Sequence, residues 1–178
     1  SRFADGAKRN PNGEVFMKNR ETDEWLQQNH RSTRNFIRKW GHFVKHDNHL
    51  KPIVPPKYDI GFVIRNCSYD RLYELEPWCS TIYTDWAGKG YIELEQENTI
   101  IDMNERVKSL VTEKVENDIV VEFDARDFTT KHMEYIAQLS EIFSNDEELE
   151  VGEFELDIFK IKINKIKTYE EELIKCER

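Results

Sequence analysis

At 178 residues the chain is long enough for one ordinary domain, or a small domain with an appendage, and can bury a core without disulfide staples. Charged residues make up 34% of it and apolar ones only 38%, yet four Trp, seven Tyr and ten Phe are large groups worth burying, which excludes a disordered chain. The net charge of −9 is unevenly held, with 12 Lys/Arg against 6 Asp/Glu in residues 1–57 and 14 against 29 in residues 58–178, and no apolar run reaches the roughly 18–20 residues of a membrane span.

Residues 1–20 are polar and turn-rich, with Asp5-Gly6 and Asn10-Pro11-Asn12-Gly13, and read as a basic loop. A helix is expected from Thr22 to Trp40, capped by Thr22 or Asp23 and stopped by Gly41. It puts Trp25, Phe36, Ile37 and Trp40 on one side and Arg31, Arg34 and Arg38 on another. His42 to Lys51 reads as a short helix or a loop. The sign of the charge then changes across Lys51-Pro52-Ile53-Val54-Pro55-Pro56-Lys57, a stiff linker. The expected division is a basic loop and helix segment, 1–57, and an acidic α/β domain, 58–178.

Beyond the prolines the pattern alternates. Tyr58 to Arg65 reads as a buried strand, Ser68 caps a helix carrying Leu72 and Leu75, and Pro77 ends it. Thr81–Thr84 is a second strand, and Trp86 to Gly90 a turn. Asp102 opens a capping box, and Met103, Val107, Leu110 and Val111 make one apolar stripe behind it. Asp118 to Phe123 is a third strand. Thr129 or Thr130 opens a helix with Met133, Ile136, Ala137, Ser140 and Phe143 on one face. In the last strand, Val151, Phe154, Leu156 and Ile158 mostly follow one alternation, and Phe159, Ile161 and Ile163 the opposite one. That phase change implies a β-bulge or a bend onto a second surface. A short amphipathic tail carries Ile166, Tyr169 and Leu173. The order β-α-β-α-β-α-β predicts an open α/β (or α+β) sheet domain in two or three layers.

Several side-chain groups can carry chemistry. His42, His46 and His49, at i, i+4 and i+7, would share one face of a helix and are candidate metal ligands, so a divalent metal is the candidate cofactor; a polar segment before a linker is the plainer alternative. Arg31, Arg34, Arg38, Lys39 and Trp40 form a basic, aromatic cluster suited to a phosphate or sugar, against the alternative of a solvated helix face anchored by Trp40. The acidic remainder disfavours nucleic acid as partner. Asp85 and Asp124 stand just past strand ends, where open α/β sheets bind ligands, and Asp59, Glu122 and Asp127 are further carboxylates of interest; helix capping accounts for many such acids. No GxGxxG, P-loop or GxSxG occurs. Cys67, Cys79 and Cys176, sparse and odd in number, read as reduced thiols of a cytoplasmic protein.

The run Asn35-Phe36-Ile37-Arg38-Lys39-Trp40-Gly41 resembles the closing segment of GT-A glycosyltransferases of the family 2 kind, which end in an Asn-x-x-x-Phe-x-x-Lys-Trp-Gly-like helix terminus. Lys39-Trp40-Gly41 matches as it stands, whereas Asn35 is closer to Phe36 than in that pattern. The resemblance implies a sugar nucleotide as ligand and a catalytic centre upstream of Ser1, this chain being a non-catalytic portion. The run Asp59 to Cys67 resembles segments of viral or phage-encoded proteins. The alternative expectation is a standalone interaction or assembly module, self-associating through its opposite charges.

Overall fold

The computed structural model describes residues 23–43, 45–53, 56–86, 88–145 and 149–166. The expected loop over 1–20, and Tyr169 and Leu173 of the tail, lie outside them. The chain forms two compact units, Ser1–Arg34 and Asn35–Arg178, so the proline-rich segment falls inside the second. Of the first unit, the opening turns of helix α1 (Asp23–Trp40) are described, exposed from Leu26 to Thr33.

The second unit starts with the last turns of α1. Gly41 ends the helix in the left-handed region, at φ +82°, with its N–H on the Ile37 carbonyl at 2.7 Å. The next segment is not a helix but a small antiparallel ribbon of β1 (Lys45–His46) and β2 (Pro52–Ile53). The reason is local: one carboxylate oxygen of Asp47 accepts the N–H groups of His49 (2.8 Å) and Lys51 (3.0 Å), satisfying a turn in place of helical bonds.

The remaining strands form one six-stranded mixed sheet, and the fold is α/β. In chain order the elements are β3 (Ile60–Arg65), α2 (Tyr69–Leu75) with a 3-10 turn (Glu76–Trp78), β4 (Thr81–Thr84), α3 (Lys89–Gln96), α4 (Met103–Arg106), β5 (Val107–Ser109), β6 (Ile119–Asp124), α5 (Thr130–Asn145), β7 (Gly152–Leu156) and β8 (Phe159–Ile163). In space the order is β5-β4-β3-β6-β8-β7. The first four strands run parallel, and β8 pairs antiparallel with β6 and with β7.

β3 sits at the centre of the parallel part and is buried along Ile60 to Ile64, so its period-2 pattern is lost. Around it Phe62, Ile64, Leu72, Leu75, Ile82, Ile119, Val121 and Ile161 are fully buried. Ile136, Leu139 and Phe143 of α5 join this core, and Phe143 meets Tyr58 edge-on at 5.8 Å. An aromatic group closes one end, with Phe123 5.1 Å from Phe159 and 5.4 Å from Phe128.

Three expectations are corrected. The apolar stripe from Met103 does not make a long helix: α4 is a single turn, capped by Asp102, and the chain becomes β5 at Val107. Val107 is β-branched and pairs with Ile82 of β4, while Val111 stands exposed, so sheet pairing overrides the helical period. The stretch after Gly88 is a helix, α3, which buries Tyr91 and Glu95. The phase change at Ile158 is a chain reversal rather than a bulge: Asp157 and Ile158 link β7 to β8, with Asp157 at φ +54° and Leu156 opposite Phe159. Two alternations in opposite phase belong to two strands.

Candidate functional site at the carboxyl edge of the sheet

The chain adds β4 and β5 on one side of β3 and then crosses to place β6 on the other. Strand order therefore reverses at β3, and the crevice beyond the carboxyl ends of β3 and β6 is the place where open α/β sheets receive ligands. Arg65 ends β3 in register with Asp124 of β6.

Asn66, one residue further, organises this edge. It takes the left-handed conformation, φ +55°, which asparagine tolerates better than most side chains. Its backbone N–H donates to Asp85 at 2.7 Å, just past β4, and its side-chain amide donates to Asp124 at 2.9 Å. The Cys67 N–H reaches Asp85 at 3.4 Å, and the Trp86 indole donates to the Cys67 carbonyl at 2.6 Å. Asn66 thus ties together the ends of β3, β4 and β6.

Charge at the edge is mixed. The Arg126 guanidinium binds Asp124 at 2.8 and 3.1 Å, and the Arg126 N–H adds a contact at 2.9 Å. These bonds, the side-chain one foremost, hold the Asp124 carboxyl well below the usual carboxylate range. Arg65 and Glu122 pair at 2.9 Å in solvent. Burial, with the charge of Asp85 second, pushes the Cys67 thiol up to about 12, so this cysteine is no nucleophile at neutral pH. The edge can offer carboxylate oxygens of Asp85 to hydroxyl groups and the exposed Arg126 to an anion. The Asn66 and Cys67 amides, turned to Asp85, are already occupied.

The structure separates the helix cluster that the sequence grouped. Arg31 and Lys39 are exposed, and Lys39 Nζ lies over the Trp40 ring, 5.1 Å from its centre. Trp40 is partly exposed and Arg34 is buried. Arg38 is wholly buried in a polar network: its guanidinium donates to Glu76 at 2.5 and 3.0 Å, to Glu95 at 2.6 Å and to Asn35 at 2.8 Å. Arg106 joins Glu76 at 3.2 Å and reaches the Cys79 carbonyl at 2.5 Å, and the Tyr91 hydroxyl donates to Glu76 at 2.9 Å. Two guanidinium groups face two carboxylates, so the burial is charge-balanced. Burial alone would lower the Arg38 pKa, but the bonds and charge of Glu76, then those of Glu95, raise it above the ordinary arginine value. Arg38 is a structural anchor of the α1 terminus.

The three histidines do not share a helix face, because their segment is a ribbon and turn. His46 and His49 are exposed, whereas His42 is buried with Nδ1 at the Phe43 carbonyl, 2.5 Å away. Among the described residues no three His, Cys, Asp or Glu side chains are gathered to hold a metal ion. Cys67 and Cys79 are buried free thiols.

A cavity of about 340 Å³ opens at the opposite, amino edge of the strands, between Asp59, Thr81, Tyr83, Lys108, Lys114 and Asn117. Its inner polar groups bind one another. The Asn117 amide donates to Asp59 (2.7 Å) and Thr81 (3.2 Å) and accepts from the Tyr83 hydroxyl (3.0 Å). That set ties the starts of β3, β4 and β6. Gly61 makes room for it, since a Cβ there would lie 2.3 Å from Asn117 Oδ1.

Sequence reasoning found Asp85 and Asp124 but missed Asn66 and Arg126. An asparagine just past a β-run was the available signal for a left-handed turn; nothing marked Arg126. No helix of the described residues is long and apolar enough to cross a membrane. Comparison with known proteins finds no matching family model, curated protein or solved structure.

Proposed function

We propose that the chain is a non-catalytic portion of a glycosyltransferase-like protein, in which the α/β unit binds the sugar nucleotide at the carboxyl edge while the chemistry belongs to residues outside this chain. The observation that carries the reading is the reversal of strand order at β3, with Asp85, Asn66 and Asp124 drawn together beyond it. The Lys39-Trp40-Gly41 resemblance supplies the ligand class. Asp85, after the second strand of the βαβ unit, stands where such folds place the acid that receives ribose hydroxyls. Arg126 and Arg65 are the cations at hand for the phosphates. With Asp124 engaged by Arg126 and, among the described residues, no third ligand gathered, no step is assigned to a metal.

The test is titration of the chain with uridine and guanosine diphosphate sugars, followed by amide chemical shifts. Saturable shifts at Asn66, Asp85 and Ala125, weakened by Asp85→Asn and by Arg126→Ala, are expected. Absence of binding, or binding indifferent to both substitutions, overturns the reading. A second reading, an interaction module, is favoured by the outer margin of the sheet at β7, where no further strand pairs among the described residues.

A further inference from the structure

β7 is the outermost strand of the sheet, and among the described residues its only strand partner is β8. Its sequence, Gly152-Glu153-Phe154-Glu155-Leu156, holds no proline and no lysine, two of the common devices that blunt a free edge. Among the described residues no strand pairs with its outer row of backbone N–H and C=O groups.

The side chains on this margin are ordered by register. On one face Glu122 of β6 stands opposite Lys160 of β8, and Lys160 stands opposite Glu155 of β7. The neighbouring row sets Glu153 against Lys162, with carboxylate and ammonium 4.0 Å apart. The first row runs acid, base, acid from the interior outward, the second Val120, Lys162, Glu153, and both end on an acid. On the other face Val121, Ile161 and Phe154 form a row, of which Val121 and Ile161 are fully buried and Phe154 is 38% exposed. The apolar row thus continues to the margin, where Phe154 is partly exposed.

We propose that β7 is a docking edge which accepts, by strand addition, an extended segment of a partner protein in which Lys or Arg alternate with apolar residues. Backbone pairing supplies the affinity common to all such additions, and alternate side chains supply the choice. A lysine or arginine opposite Glu153 and Glu155 extends the alternating rows by one member. An apolar residue between them covers Phe154. The same glutamates act against a second copy: antiparallel pairing of two β7 strands about Phe154 would set Glu153 of one directly opposite Glu155 of the other, and like charges there are destabilising. The edge is closed to itself and open to a basic strand. This inference does not rest on the transferase reading, which concerns the other side of the sheet order.

The test uses the full chain and fluorescein-labelled synthetic peptides followed by anisotropy. One peptide alternates lysine and isoleucine, a second is its scramble, a third alternates glutamate and isoleucine, and a fourth interrupts the first with a central proline. The alternating basic peptide is expected to bind, with amide shifts confined to Gly152–Leu156 and its immediate neighbours, and the other three to bind at least about tenfold more weakly. Glu153→Lys with Glu155→Lys should reverse the preference to the acidic peptide, and Glu153→Gln with Glu155→Gln should reduce it without reversal. Equal binding of the scramble would reduce the effect to general attraction by an acidic protein and overturn the proposal. Shifts centred elsewhere, no binding because a segment of the chain itself holds the edge, or a β7-mediated dimer in sedimentation would each overturn it too.

Discussion

Arg38 and Glu76, 38 positions apart, meet at 2.5 Å with both side chains wholly excluded from solvent. The contact binds the last turn of α1 to the 3-10 turn that follows α2. Removing Glu76 leaves the two buried guanidinium groups, Arg38 and Arg106, with Glu95 as the one carboxylate of the network. Glu76→Gln is therefore expected to cost about 3–5 kcal/mol in urea unfolding. Arg65→Ala, which deletes an exposed pair, should cost under about 1 kcal/mol. A Glu76→Gln protein as stable as the parent would show that the network holds nothing together.

Gly61 and Asn117 form a second fitted pair. Gly61→Ala should destabilise the protein by about 1–3 kcal/mol through overpacking against the Asn117 amide. The cost should shrink when Asn117 is already Ala. A double-mutant cycle measures the difference, and simple additivity would place the strain elsewhere.

Cys67 tests the burial of the turn after β3. With its thiol near 12, and the Cys79 thiol also raised by burial, neither is a thiolate at neutral pH. In a Cys176→Ser background, a disulfide reagent at about pH 7 should label neither until urea unfolds the chain. Rapid labelling of the native protein would mean that this turn opens readily.

Asp124 makes the carboxyl edge sensitive to acid. A carboxyl whose folded pKa lies below its unfolded value of about 3.9 stabilises the fold above that value, and the contribution fades as the pH falls through it toward the folded value. Asp124→Asn should be less stable than the parent near neutrality and converge with it in acid. Urea midpoints measured down the acid limb check this. Parallel curves would mean that Arg126 does not hold the carboxylate in solution.

Where an element's pattern was its own, it was legible. β3, β4, β6 and α5 announce themselves through buried β-branched runs or a helical stripe, and the structure puts them within a residue or two of the expected bounds. Where a distant partner chose the conformation, it was not. Val107 continues a helical stripe in sequence but is drawn into the sheet by Ile82, and α3 follows a glycine that reads as a plain turn. The basic cluster failed as a group for a related reason: no local pattern says that Arg38 will meet Glu76 and Glu95 from beyond the proline-rich segment. Of the carboxyl edge, Asp85 and Asp124 were visible as acids after strands. Asn66, which joins them, acquires its role only when three strand ends are side by side.

The position of β8 bears on how the sheet is made. β8 is later in the chain than any other described strand, yet it lies inside the sheet, between β6 and β7. Ile119 and Val121 obtain their neighbours Ile163 and Ile161 only after residues 159–163 have been synthesised. Until then, on a translating ribosome, the flank of β6 is an unsealed, sticky seam. Such late, non-local closure slows folding and invites association of nascent chains. Holding factors that shield β6 should therefore raise the yield of native protein more than those acting on the α2 and β4 region, where strand pairing completes early.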